Sequence, residues 1–128
     1  MTWNLTTLTA FFESQKHNPY EYNRLCTADP IGRLWSAYMA AIEAFNAAKH
    51  EHQGLGVGAI SSDSTRTTAL EGIMTAALAR RDIMEAGIVE ACGDLGSAEE
   101  PTTRYLQRRP GEAALIAALE AVAVGCGV

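Results

Sequence analysis

The side chains with the chemistry to bind a metal or move a proton are few: three histidines, three cysteines and scattered carboxylates. His50-Glu51-His52 is the densest group. Histidines that share a metal from one helix stand three or four residues apart, because those positions lie on one face. Two residues apart they diverge, so a metal here needs a frayed helix end and Glu51 as a further ligand. At a helix C-terminus the same histidines complement the helix dipole, and that is the expected role. Cys26, Cys92 and Cys126 form no CxxC pair, so neither a zinc knuckle nor a thioredoxin-type site is expected. Their odd number and wide spacing suggest a reducing, cytoplasmic setting. No Ser-His-Asp order or Cys-His signature is recognisable. The expectation is therefore a protein without enzymatic activity, with no catalytic residue, metal or cofactor assigned.

Anion chemistry is the next possibility. Gly54-Leu55-Gly56-Val57-Gly58 precedes a helix, as phosphate-binding loops do. Such loops follow a strand and, in the Walker form, carry Gly-Lys-Ser/Thr. Here a helix precedes, and no lysine follows Lys49. A turn between helices is the expected reading, with Arg66 alone insufficient for an anion site. Arg104, Tyr105, Arg108 and Arg109 make a local basic patch able to grip phosphates and stack on bases. Glu99, Glu100 and Glu112 offset most of its charge. With a net charge of −5 and a pI near 5.1, direct nucleic-acid binding is not expected. Glu71, Asp82, Glu85, Glu90 and Asp94 recur along one helix. They can imitate a row of phosphates, although a solvated polar face explains them more simply. Arg81 falls on an apolar seam. If buried it needs a carboxylate partner, for which Glu43 is the candidate; otherwise it lays its stem over the core edge or anchors an interface.

The elements that position these residues are helices. Periodicity near 3.6 residues is frequent and β-branched alternation almost absent. The first helix is expected over Asn4 to Lys16, capped by Thr2 or Asn4 and ended by Asn18-Pro19. Tyr20 to Cys26 adds one or two turns. Asp29-Pro30 starts a second helix, which should stop near His52, before Gly54. Its stripe is Ile31, Leu34, Trp35, Tyr38, Met39, Ile42 and Phe45, beside a row of Ala37, Ala41, Ala44 and Ala48. The third helix spans Thr65 to Ala91, with stops at Gly93 and Gly96. Leu70, Met74, Ala77, Arg81, Met84, Ile88, Ala91 and Leu95 alternate by four and three, a coiled-coil-like seam. Gly72 and Gly87 mark close contacts or a bend in it. Ser97 to Glu100 resembles a capping box opening a short polar helix that ends around Arg109. Pro110 starts the last helix, with Leu115, Ile116, Leu119 and Val122 on its buried side.

The resulting expectation is one all-α domain of 128 residues. It is a compact bundle of four to five helices around a long antiparallel hairpin. The two long helices pair within the chain or between two chains.

Eight of the nine aromatic residues lie in the first 45 positions. They fill a shared core or face a partner. Trp3, Phe11, Phe12, Tyr20 and Tyr22, with Arg81, Arg104, Tyr105, Arg108 and Arg109, are the candidate partner-binding residues. MTWNLTTLTAFF carries no basic residue before Lys16, so no signal peptide is expected. The apolar run Ala113 to Val124 is too short for a bilayer and no membrane association is expected. Eight arginines against two lysines suggest a GC-rich bacterial or mobile-element origin.

The function expected is binding to another protein, as an inhibitor or adaptor; a phage-encoded blocker of a host nucleic-acid-processing complex is one concrete form. Two alternatives stand beside it. One is a self-assembling subunit, a homodimer or larger. The other is a ligand-binding or enzymatic bundle with a site near His50, His52 and Arg81.

Overall fold

The computed structural model describes residues 2–56, 64–96, 98–106 and 112–125. Most of these residues are helical, and none of them is in a strand. Helix α1 is Leu5–Ser14, followed by a 3-10 turn at Gln15–His17. Then come α2 (Pro19–Ala28), α3 (Pro30–Gly56), α4 (Ser64–Leu95), a single turn α5 (Thr103–Leu106) and α6 (Glu112–Gly125). The packing of α3 against α4 is the most extensive in the molecule, so the bundle is built on a long hairpin.

Local chemistry sets the boundaries. Asn4 caps α1 through a reciprocal pair: its Oδ1 accepts from Thr7 N at 2.9 Å, and its N donates to Thr7 Oγ1 at 2.8 Å. Asn18 and Pro19 start α2, which is longer than the one or two turns expected. Asp29 closes α2 and opens α3. At the far end of α3 the helix runs through Gly54 to Gly56, beyond the expected stop near His52. A glycine costs a helix about 1 kcal/mol relative to alanine, which weakens the last turn without forbidding it. Gly96, at φ 55, ends α4 in the left-handed conformation glycine adopts freely. Residues 98–102 are not helical, so the expected polar helix begins only at Thr103. Ser97, residues 57–63 with their glycine-rich stretch, and residues 107–111 with Pro110 lie outside the described residues.

The core occupies one end of the hairpin. The start of α3 (Ile31, Leu34, Trp35) and the end of α4 (Met84, Ile88, Ala91, Cys92, Leu95) meet Trp3, Leu8, Phe12, Leu25 and Leu119. Helix α2 packs on α3, α1 on α4, and α6 on both. Trp3 and Phe12 are therefore core residues and offer no surface to a partner in this fold. Their burial follows from size: with Trp35 they supply the large rings of this core. Further along the hairpin, beyond Met39 on α3 and before Ile83 on α4, the described buried residues are Ala41, Ala48, Leu70 and Ala77. None belongs to the aromatic cluster. The expected four-three seam is real: Leu70, Ala77, Met84, Ile88, Ala91 and Leu95 are buried, with Met74 and Arg81 half-buried. Small residues on both helices let the distal hairpin close without large side chains.

Candidate interaction surfaces

The N-terminal aromatics form a chain of ring contacts that begins at buried Trp3 and ends at half-buried Tyr22. Trp3 meets Phe11 edge-on at 5.9 Å, Phe11 meets Phe12 at 5.3 Å, and Phe12 stacks on Trp35 at 4.9 Å. Tyr22 closes the chain edge-on against Trp35 at 6.1 Å. Trp3 Nε1 donates to Ala98 O at 2.6 Å and Trp35 Nε1 to Thr9 Oγ1 at 3.2 Å, so both indoles are satisfied. Tyr22 is half-buried. Its phenol is pushed up to about 12, chiefly by burial and then by the adjacent Cys26 thiol. Burial also raises the Cys26 thiol, which makes it a poor nucleophile. Phe11 is half-buried, and Tyr20 is 86 % exposed with no ring partner among the described residues. Of the five aromatic candidates, Tyr20 alone presents most of its surface to solvent.

Arg81 does not pair with Glu43. Its Nε and a terminal nitrogen donate to Asp82 Oδ1 at 3.2 and 2.9 Å, on a side chain 40 % exposed. The seam rotates past the core at this position, so the guanidinium reaches solvent and takes its sequence neighbour. Arg81 instead borders a groove between α3 and α4, lined by Tyr38, Ala41, Ile42, Phe45, Asn46, Ala77 and Leu78, with a volume of about 230 Å³. Ala41 and Ala77 form the floor because their methyl groups leave the space that larger residues would fill. Ile42, Phe45 and Leu78 are half-buried walls. The Lys49 ammonium stands 6.0 Å from the centroid of the Phe45 ring, one of these walls. The lining holds no nucleophile beside a base. Its chemistry is that of an apolar slot with Arg81, paired to Asp82, at its edge.

At the far end of the hairpin, Glu51 takes Arg66 with contacts of 2.6 to 2.9 Å, and His52 lies 3.4 Å from Glu71. These side chains cross-link α3 to α4. Among the described residues no three metal-type side chains converge. Arg104 is exposed and pairs with Glu100 at 3.1 Å, a helix-spaced surface ion pair. The Tyr105 side chain, Arg108 and Arg109 lie outside the described residues, so the basic patch is represented by Arg104 alone. Glu71 and Asp82 are likewise engaged, by His52 and Arg81. No helix among the described residues is long and apolar enough to cross a membrane.

The groove was only half-visible in the sequence. Arg81 stood out and Tyr38, Ile42 and Phe45 were read as an apolar stripe, but Asn46 and Leu78 were not singled out. The signal that marks them is the pairing of small Ala41 and Ala77 with large neighbours one turn away. In the comparisons with known proteins no family model, no curated protein and no solved structure matches the chain.

Proposed function

We propose that this protein is a binding module, an inhibitor or adaptor that acts by occupying another protein and performs no chemistry itself. Its docking site is the groove between α3 and α4. The occupant is an amphipathic helix of the partner, which lays apolar side chains on Ala41 and Ala77 and sets acidic residues against Lys49 and Arg81. The single observation that supports the reading is the shape of that groove. Two antiparallel helices leave a slot floored by alanine, walled by Ile42, Phe45 and Leu78, and edged by Arg81, with Lys49 against Phe45. A third helix completes such a pair by filling the slot, the mode in which helices are recognised by hydrophobic grooves.

The test is affinity capture from lysate by the full chain, with nuclease present, in parallel with Phe45→Ala, Leu78→Glu and Tyr20→Ala. Circular dichroism checks that each variant remains folded. A stoichiometric partner retained by Tyr20→Ala and lost by both groove variants supports the proposal. Equal capture by the groove variants, or no capture at all, removes it.

A further inference from the structure

Helix α4 carries a second seam. Gly72, Ala79, Ala86 and Gly93 repeat every seven residues, with Ala76, Ile83 and Glu90 between them at four-three spacing. All seven are exposed, on the face of α4 opposite the seam that packs on α3. Ile83 is 50 % exposed and Val89, on its flank, 56 %. A methyl group built on Gly72 or Gly93 meets nothing within 4 Å, so the backbone along this face is open to a close neighbour. A seven-residue repeat sustained over three turns of the pattern is the mark of a helix that expects another helix alongside it.

The charges on this face identify which helix. Arg80 and Glu90 are both exposed, and neither has an ion-pair partner among the described residues. They stand ten residues apart, about 15 Å along the axis. In an antiparallel pair of identical helices, facing positions have a constant sum. The register that sets Ile83 against the second copy's Ala86 also sets Ala76 against its Gly93 and Ala79 against its Glu90. Every larger side chain then meets a small one. In the same register Glu90 of each copy comes beside Arg80 of the other, twice, by symmetry. Packing alone permits several registers shifted by seven residues, and among them the charges select this one.

We infer that two copies of this chain associate through the outer face of α4, antiparallel about a two-fold axis near residue 85, with reciprocal Arg80–Glu90 ion pairs. A two-fold contact uses the same patch on both subunits, and this patch is self-complementary in that sense. The surface is distinct from the groove between α3 and α4, so the dimer leaves that groove open.

Sedimentation equilibrium of the full chain across a wide concentration range tests the inference, with Arg80→Glu, Glu90→Arg and the double exchange. The expected result is a reversible dimer, weakened about tenfold or more by either single reversal, where like charges oppose. The double exchange restores it, and all three variants keep the wild-type circular dichroism spectrum because both positions are exposed. Ala86→Gln, which places a long side chain against Ile83, weakens the dimer without any change of charge. A wild-type chain that is monomeric at its highest soluble concentration overturns the inference. So does a dimer indifferent to these substitutions, or one that the double exchange fails to restore.

Discussion

Asp29 closes α2 through its backbone and joins α3 to α5 through its carboxylate, and its replacement should be the most informative single perturbation of this fold. Its Oδ2 accepts from Gly32 N at 3.1 Å, capping α3, and its Oδ1 accepts from Thr103 N at 2.8 Å, at the start of α5. The residue is buried, and the Thr102 and Thr103 hydroxyls lie buried nearby without a partner among the described residues. Asp29→Ala leaves two buried N–H groups orphaned. Loss of an N-cap costs about 1 kcal/mol and an orphaned buried donor about 1–3 kcal/mol, so a total of about 3 kcal/mol is expected. Asp29→Asn separates the two bonds. Its carboxamide has one acceptor oxygen, so one N–H keeps its bond while the other faces an NH₂ donor. Roughly half the alanine effect should remain. Urea unfolding followed by circular dichroism measures both, and melting should shift by about 4 °C per kcal/mol for a chain of this size. If Asp29→Asn unfolds within roughly 0.5 kcal/mol of wild type, as ordinary surface substitutions do, the double-cap reasoning is wrong.

Other substitutions separate close approach, core and surface. A methyl group at Gly32 would stand 2.0 Å from Leu25 O and 2.7 Å from Leu25 C, backbone atoms that cannot turn aside. Gly32→Ala should therefore push α2 from α3 and cost about 2 kcal/mol or more in calorimetry, despite a gain of about 1 kcal/mol in helix propensity. Phe12→Ala should lose about 3 kcal/mol or more, while Tyr20→Ala melts with the wild type; equal melting of the two would mean the aromatic core is misassigned. Cys92 has its thiol pushed from the ordinary 9.0 up to about 11 by burial. The folded chain holds that proton more tightly than the unfolded one, so this contribution is full below pH 9 and is lost as pH rises towards 11. Unfolding titrations of Cys92→Ala should lack that part of the alkaline slope.

What the sequence disclosed followed from local signals. Asp29-Pro30, the α4 seam and the buried side of α6 were readable because capping, periodicity and apolar spacing each depend on residues within a few turns. The division of the aromatics was not. Phe12 and Tyr20 are both large and each is followed by a glutamate; only tertiary packing, Phe12 against Trp35 and Tyr20 against no ring among the described residues, separates them. Glu43 was the candidate partner of Arg81 only if that side chain were buried, and it is 40 % exposed. The seam count placed it inward, but a seam at 3.5 residues drifts on a straight helix, and position 81 lies where α4 turns its edge to the groove. Gly32 and the Asp29–Thr103 bond were invisible because both depend on contacts between segments distant in sequence or on the angle between two helices. Gly72 and Gly87, which looked more telling, have open space or ordinary contacts around them.

Helix α4 carries apolar residues on opposite faces, and a helix of that kind is normally interior. In this chain α3 covers one seam along its length, and α1 and α6 thicken the cover at one end only. The stability of the fold then resides where Trp3, Phe12, Trp35 and Leu95 meet, whereas the distal groove and the outer seam contribute little to it. This separation predicts how heat should act. If the outer seam pairs two copies, the pairing stabilises only the folded state, so the wild-type melting temperature rises with protein concentration. Phe12→Ala lowers the whole curve but keeps its slope, because the seam is intact. Arg80→Glu, at an exposed site, leaves the dilute melting temperature in place and flattens the dependence on concentration. Scanning calorimetry of the three proteins over a hundredfold dilution range distinguishes these effects. A wild-type melting temperature independent of concentration refutes the coupling of the seam to stability, and a Phe12→Ala curve that also goes flat refutes the separation of core from surface.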